Sequence, residues 1–216
     1  FCAQPQARPA RLPAPWGGAL MTDTMLQTTI LIVPGLRGNV PGHWQTLLAA
    51  ELPQVKSVKP MGRDDLDCHK RIEAIETAIS NIEGPVVIVA HSAGCIMTAH
   101  WARTTKYVHL VQGALLVTPP DFETPMPKTY PTIEALRTGG WLPTPRNILP
   151  FTSTVAYSQD DPLGSVETVE QLANDWGSFK VNLGFVGHMN PVSGYGHWPE
   201  ARTLLSRFFD LEINHQ

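Results

Sequence analysis

The sequence lacks the features that mark membrane-spanning, nucleic-acid-binding or metal-binding proteins. It contains no run of 18 apolar residues, so no transmembrane helix is predicted. The formal net charge is −3 and the lysines and arginines are scattered, which argues against a nucleic-acid partner. The three cysteines, Cys2, Cys68 and Cys95, follow no metal-ligand spacing and cannot all pair. We therefore expect a cytoplasmic protein with reduced thiols, no metal and no other cofactor.

Charged residues are also few, at 16% of the chain against 43% hydrophobic residues, which is typical of a compact globular domain. A length of 216 residues suits one such domain. The first twenty residues differ, since they hold several prolines and no acidic side chain. We expect residues 1–24 to be a disordered extension and residues 25–216 to form the folded domain.

Strand and helix patterns alternate through the folded part, which predicts parallel strands joined by helical crossovers. The expected fold is a doubly wound, mostly parallel six-stranded sheet with strand order 2-1-3-4-5-6. The predicted strands are residues 28–33, 55–58, 86–90, 110–117, 152–158 and 179–183. The predicted helices are residues 43–52, 67–82, 95–103, 165–176 and 200–211.

A serine between small residues lies between the predicted third strand and the helix after it. Residues 90–94 read Ala-His-Ser-Ala-Gly. A strand, a sharp turn with a serine at its apex and a helix are typical of a nucleophile elbow, where close approach of strand and helix leaves room only for small neighbours. Ala90 and Gly94 meet that requirement, although the usual first glycine is an alanine here. The pattern predicts Ser92 as a nucleophile.

Acidic and imidazole groups follow two other predicted strands. Asp160 and Asp161 end the fifth strand, and His188 lies in a short loop after the sixth. In doubly wound sheets the reactive groups gather at the carboxyl ends of the strands. A serine needs a base to take its proton, histidine suits that role, and a carboxylate orients the imidazole. The chain order Ser, Asp, His is the order expected for such a site.

Two of these assignments have alternatives. Adjacent residues at a strand end point in opposite directions, so only one aspartate can face the histidine; Asp161 is favoured, and Asp160 is expected to cap the turn. His188 is favoured as the base over His197, which opens the last helix. The side chain of His91 is expected to point away from that of Ser92. The other histidines are interpreted as structural or solvated: His43, His69, His100, His109 and His215.

Two backbone N–H groups are candidates for an oxyanion hole. One belongs to Ala93, which follows the predicted nucleophile at a helix N-terminus, where the helix dipole also favours negative charge. The other belongs to Leu36, with Arg37 as the second choice, in the loop after the first strand. That loop lacks the glycine spacings of nucleotide-binding loops, so nucleotide binding is not expected.

The regular alternation breaks between Thr118 and Pro150, which contain eight of the chain's 20 prolines. Such density excludes long helices and strands, although one short helix fits around residues 132–136. A long irregular segment inside a compact domain is usually functional or mobile, so 118–150 is expected to form a lid or pocket wall, or else a surface loop. Aromatic side chains proposed to line a substrate pocket, or else to pack in the core, are Trp44, Phe122, Trp141 and Trp198.

The chain resembles the YdeN-type small serine hydrolases of the α/β-hydrolase superfamily, the family that includes retinoblastoma-binding protein 9. The resemblance covers residues 28 to about 211 and depends on Val33-Pro34-Gly35, His43-Trp44, residues 90–94, Asp160-Asp161-Pro162 and Gly187-His188. It implies a compact fold without a large cap domain and a triad of Ser92, Asp161 and His188. The Leu-x-Cys-x-Glu motif of the animal member ends here in Lys70, so its protein partner is not implied.

These observations predict an enzyme that hydrolyses small carboxylic esters, with amides and thioesters as further candidates, through an acyl group on Ser92. Its expected partner is therefore a small acyl substrate, and the oligomeric state is left open. One alternative is a hydrolase fold that now only binds ligands. Another is a triad used for acyl transfer or a related cofactor-free reaction.

Overall fold

The computed structural model describes residues 27–209. The predicted extension, residues 1–24, and the end of the last predicted helix lie outside this range. The strands are β1 (Thr29–Val33), β2 (Val55–Ser57), β3 (Val86–His91), β4 (Val111–Val117), β5 (Ser153–Tyr157) and β6 (Phe179–Asn182). The α-helices are α1 (Trp44–Glu51), α2 (Cys68–Ser80), α3 (Ala93–Ala102), α4 (Ile133–Thr138), α5 (Val166–Asp175) and α6 (Glu200–Phe209).

The six strands form one parallel sheet in the order β2-β1-β3-β4-β5-β6, which confirms the predicted fold class. The inner strands β1 and β3 are buried along their whole length, whereas the edge strands β2 and β6 are mostly exposed. A parallel strand covered by helices on both faces needs apolar side chains in both directions. This explains the continuous apolar runs that predicted the inner strands.

The sheet separates two hydrophobic layers. Along β1, Leu31 and Val33 face the layer formed with α2, α3 and α5, while Ile30 and Ile32 face the layer formed with α1 and α6. Side chains on a strand point alternately to its two faces, so each strand supplies both cores. Because all the strands run in the same direction, their carboxyl ends lie along one edge of the sheet.

Local capping interactions fix where the helices begin. Ser165 accepts a hydrogen bond from the Thr168 N–H at the start of α5, and Asp67 caps α2 by accepting from the Lys70 N–H. Each cap satisfies a backbone donor that the first turn leaves without an acceptor. No helix within residues 27–209 has both the length and the apolar character needed to cross a membrane.

Between residues 118 and 150 the described secondary structure is the short helix α4, close to the predicted position. The second half of this segment is fixed to the rest of the domain. The Trp141 indole N–H donates to the Leu66 carbonyl at 2.8 Å, and Arg146 pairs with Asp175 on α5 at 2.8 Å. The first half of the segment, residues 121–131, reaches the carboxyl edge of the sheet, where Phe122, Met126, Tyr130 and Pro131 line a cavity.

Gly113 in β4 is a point where the sheet approaches α6 very closely. A Cβ atom built there would lie 2.2 Å from Cδ1 of Phe208, so Gly113→Ala forces the buried ring to move. We expect the variant to lose about 1–3 kcal/mol of unfolding free energy, measured by urea denaturation. The matched control is Gly62→Ala, whose added Cβ would meet nothing within 4 Å. Equal stability of both variants would contradict this description of the packing.

Candidate active site

Ser92 occupies the sharp turn between β3 and α3 in a strained backbone conformation. Its φ and ψ are 55° and −129°, in a region that residues other than glycine rarely adopt. The Ser92 N–H donates to the Val117 carbonyl at the end of β4, and the Ser92 carbonyl accepts from the Cys95 N–H in the first turn of α3. Strand and helix therefore fix the serine from both sides.

Interatomic distances explain why the residues two positions before and after Ser92 are small. A Cβ atom at Gly94 would lie 2.3 Å from the Val33 carbonyl oxygen and 2.9 Å from that of Pro34, so even alanine is too large at this position. Ala90, at the other small position, is fully buried and its methyl group fits. The start of α3 can thus lie against the end of β1, as an elbow requires.

The three predicted triad residues form one chain of hydrogen bonds. His188 Nε2 lies 2.8 Å from Ser92 Oγ, and His188 Nδ1 lies 2.9 and 3.0 Å from the two carboxylate oxygens of Asp161. The side chains of His188 and Asp161 are only 5% and 3% exposed. With Nδ1–H donating to the carboxylate, Nε2 is left to accept the serine proton. This arrangement can activate a hydroxyl as a nucleophile.

The two adjacent aspartates have different partners. Asp161 faces His188 and also accepts from the Leu163 N–H at 2.9 Å. Asp160 accepts from the Gly187 N–H at 2.7 Å and from the Ser158 hydroxyl at 2.8 Å, and these hydrogen bonds lower its pKa. Asp160 therefore links the end of β5 to the loop that carries the histidine, and Asp161 is the carboxylate that reaches the imidazole.

The loop that carries His188 is fixed by short-range contacts. Gly187 has a φ of 56°, and a Cβ there would lie 2.5 Å from Ser193 Oγ. The same hydroxyl accepts from the His188 N–H at 3.1 Å. The alternative base, His197, has a 61% exposed side chain beside Glu51 and lies outside this hydrogen-bond chain.

Both predicted oxyanion donors line the cavity in front of Ser92. The loop after β1 passes close to the nucleophile, since a Cβ at Gly35 would lie 3.2 Å from Ser92 Cβ and 3.6 Å from its Oγ. Within residues 27–209, neither the Leu36 N–H nor the Ala93 N–H has a hydrogen-bond acceptor. Donors in this position can stabilise negative charge that develops on a carbonyl oxygen attacked by Ser92.

The cavity has a volume of about 140 Å³ and a wall that is mostly apolar. The first half of segment 118–150 supplies one side of it, with Phe122, Met126, Tyr130 and Pro131. The other apolar side chains of the wall are Leu36, Val40, Ala93, Leu163, Pro191 and Val192. The segment thus forms a pocket wall, and a role as a mobile lid stays a prediction.

The three tryptophans predicted to line the pocket lie in the core instead. Trp44 packs edge-to-face on Trp198 with ring centroids 5.0 Å apart, and both belong to the layer under α1 and α6. Trp141 is fully buried against Phe122, 5.4 Å between centroids. Burial of large aromatic rings in the two hydrophobic layers is favourable, which accounts for these positions. Of the four proposed aromatic residues, only Phe122 also lines the cavity.

Two further histidines and a glutamine belong to the site. His91 is the last residue of β3, whereas His43 and Gln45 lie at the start of α1, away from the strand ends, where the sequence gave no signal. His43 and His91 line the cavity, with ring centroids 4.6 Å apart, and His91 lies 5.1 Å from the His188 ring. The His91 Nε2–H donates to the backbone carbonyl of His188 at 2.9 Å. Gln45 lies beside them and donates from Nε2 to the Val33 and Val89 carbonyls. These groups hold the ends of β1, β3 and the His188 loop together.

Both additional histidines are kept neutral by their surroundings. Burial, followed by repulsion from His188, lowers the pKa of His43 to about 4, and the same causes lower the pKa of His91. An unfolded chain would bind a proton at His43 near its ordinary pKa of 6.5. The folded state is therefore favoured above pH 6.5 and loses stability as the pH falls from 6.5 towards 4.

Replacing His43 should reduce this pH dependence. His43 Nδ1 caps α1 by accepting from the Gln45 N–H, and an asparagine can keep that cap without titrating. The unfolding free energy is measured by urea denaturation at pH 7 and at pH 5. We expect its decrease between these pH values to be roughly 2 kcal/mol smaller in His43→Asn than in the unmodified protein. His69→Asn, at an exposed position, is the control and should leave the difference unchanged. An unchanged difference in His43→Asn would contradict the burial argument.

Comparisons with solved structures agree with the observed topology. A YdeN-like hydrolase from Pectobacterium atrosepticum is 24% identical with a TM-score of 0.72, over 88% of this chain and 94% of that one. The ydeN gene product of B. subtilis is 18% identical with a TM-score of 0.66, over 85% and 99%. An esterase from Thermogutta terrifontis is 16% identical with a TM-score of 0.55, over 86% and 90%. At these identities the likeness concerns the fold.

The search of curated proteins finds no match. A family model described as serine hydrolase matches residues 30–207, a range that contains Ser92, Asp161 and His188. The match extends from β1 into α6 and so includes every strand of the sheet. The chain therefore belongs to the serine hydrolase family.

Proposed function

We propose that the protein hydrolyses small carboxylic esters through an acyl-enzyme formed on Ser92. The observation that carries the proposal is the hydrogen-bond chain from Asp161 through His188 to Ser92, which ends in a cavity with two backbone N–H groups that have no acceptor among the described residues. A pure binding protein has no need to hold three reactive groups in this geometry. The triad therefore supports turnover.

In the first half of the reaction, Ser92 Oγ attacks the ester carbonyl while His188 Nε2 takes the hydroxyl proton. Asp161 keeps the imidazole in the tautomer that accepts this proton and stabilises the imidazolium that forms. The carbonyl oxygen becomes negative and is held by the N–H groups of Leu36 and Ala93. When the tetrahedral intermediate collapses, His188 returns the proton to the leaving alcohol and the acyl group stays on Ser92.

In the second half, a water molecule takes the place of the alcohol. His188 removes its proton as it attacks the acyl-enzyme, and the acid is released with the serine restored. The same reaction steps cleave thioesters and amides, which differ from esters in the leaving group. The small apolar cavity, with Phe122, Met126 and Leu163 in its wall, favours short acyl chains.

The triad assignment predicts a specific labelling pattern. A fluorophosphonate probe should modify Ser92, identified by mass spectrometry, because only an activated serine reacts readily with it. Ser92→Ala and His188→Ala should abolish both labelling and turnover of p-nitrophenyl butyrate while retaining the circular dichroism of the fold. A folded, unmodified protein without labelling would contradict the proposal and favour a ligand-binding role.

The neighbouring aspartates provide a matched comparison. Asp161→Asn removes the negative charge that orients His188 and should lower kcat about 10³–10⁴-fold. Asp160→Asn keeps a side-chain oxygen that can accept from Gly187, so its kcat should fall less than about tenfold. Both are measured with the same ester at saturating concentration. Equal losses in the two variants would show that Asp161 does not have the proposed role.

A further inference from the structure

The acidic and basic side chains in the wall of the cavity in front of Ser92 are not balanced in number. Among residues 27–209, two arginines, Arg37 and Arg63, belong to its wall, and no aspartate or glutamate side chain does. The nearest carboxylate of the site, Asp161, is 3% exposed and engaged with His188. The cavity therefore has two positive charges at its rim, in a chain whose formal net charge is −3.

The two guanidinium groups have no acidic partner within residues 27–209. Arg63 donates to the Thr129 backbone carbonyl, and Arg37 has no hydrogen-bond or ion-pair partner there. Arg146, by contrast, is held by both Glu123 and Asp175. A guanidinium group has five N–H donors in a planar fork, so most of the donors at the cavity rim are available to a ligand.

Arg37 and Arg63 both lie in loops that border the predicted reaction centre at Ser92. Arg37 directly follows Leu36, the proposed oxyanion donor, in the loop after β1. Arg63 lies in the loop before α2, and its hydrogen bond to the Thr129 carbonyl connects it to the segment that supplies Tyr130 and Pro131 to the cavity wall. Both arginines are exposed, whereas the apolar wall lies around Phe122 and Leu163. A substrate with a short apolar chain and an anionic end matches this distribution.

We propose that the natural substrate is an ester that carries a carboxylate a few atoms from the scissile bond, bound by Arg37 and Arg63. A carboxylate is small, planar and able to accept two parallel N–H bonds from a guanidinium. The proposal names the substrate class of the catalytic site and rests on the esterase function proposed above. Positive charge at the rim also attracts anionic substrates before they bind.

The test compares esters that are matched in shape and differ in charge. Mono-p-nitrophenyl glutarate has a carboxylate where p-nitrophenyl 5-methylhexanoate has an isopropyl end. For the alcohol side, the butyrate ester of 3-hydroxypropanoate is compared with that of 3-methylbutan-1-ol. Hydrolysis of these two esters is measured by the release of acid. We expect the ratio of kcat/KM, anionic over neutral, to be about ten or more in at least one pair, the size of charge-assisted hydrogen bonds at a partly solvated position.

The variants Arg37→Gln and Arg63→Gln should each lower that ratio several-fold, mainly through the KM of the anionic ester, and the double variant should bring it close to one. Using a ratio cancels any general effect of a substitution on catalysis. Arg207→Gln, on the exposed side of α6, is the control and should leave the ratio unchanged. Raising the salt concentration to 0.5 M should also reduce the ratio, because exposed charges are screened.

Three results would overturn the inference, and they differ in whether the esterase function also fails. If the neutral esters are hydrolysed and the ratio is near or below one in both pairs, the carboxylate proposal fails while the esterase function stands. The same holds if the ratio is high but insensitive to both arginine variants. If no ester is hydrolysed and Ser92 is not labelled by the fluorophosphonate probe, the esterase function fails and the substrate proposal fails with it.

Discussion

The catalytic geometry depends on how closely the start of α3 approaches the end of β1. This approach is possible only because Gly94 has no side chain to collide with the Val33 carbonyl. At the same turn the Ser92 backbone has a positive φ, and the loop after β1 passes so close that a Cβ at Gly35 would lie 3.2 Å from Ser92 Cβ. The strain at one residue is thus stabilised by packing over the whole sheet.

The other parts of the site are held by polar contacts between loops. Asp160 fixes Gly187, Ser193 accepts from the His188 N–H, and His91 donates to the His188 carbonyl. These three contacts come from three different segments and all act on the backbone around one imidazole. As a result, His188 can be oriented by Asp161 without help from regular secondary structure. The neutral state of His43 and His91 follows first from their burial, which disfavours a charged imidazole, and then from repulsion by His188.

The sequence predicted most reliably the features that depend on a repeating pattern of neighbouring residues. Continuous apolar runs predicted the inner strands, and Ser92, Asp161 and His188 could be proposed because strand ends converge in a parallel sheet. The tryptophans could not be placed, because the rotation of α1 and the path of residues 118–150 decide whether a ring meets the core or the cavity. His43 and Gln45 were missed for a related reason: their importance comes from α1 packing over the ends of β1 and β3, which no spacing in the chain reveals.

The division between sheet and loops also separates chemistry from substrate selection. The groups that would break an acyl bond lie at strand ends, whose positions are fixed by the shared fold. Most residues of the cavity wall come from segments without regular structure, among them Arg37, Arg63 and Phe122. Such segments can change in length and charge at little cost to the core. Two serine hydrolases with the same sheet can therefore keep one mechanism and select different esters, so that the charge of the cavity rim is a better guide to the substrate than the fold.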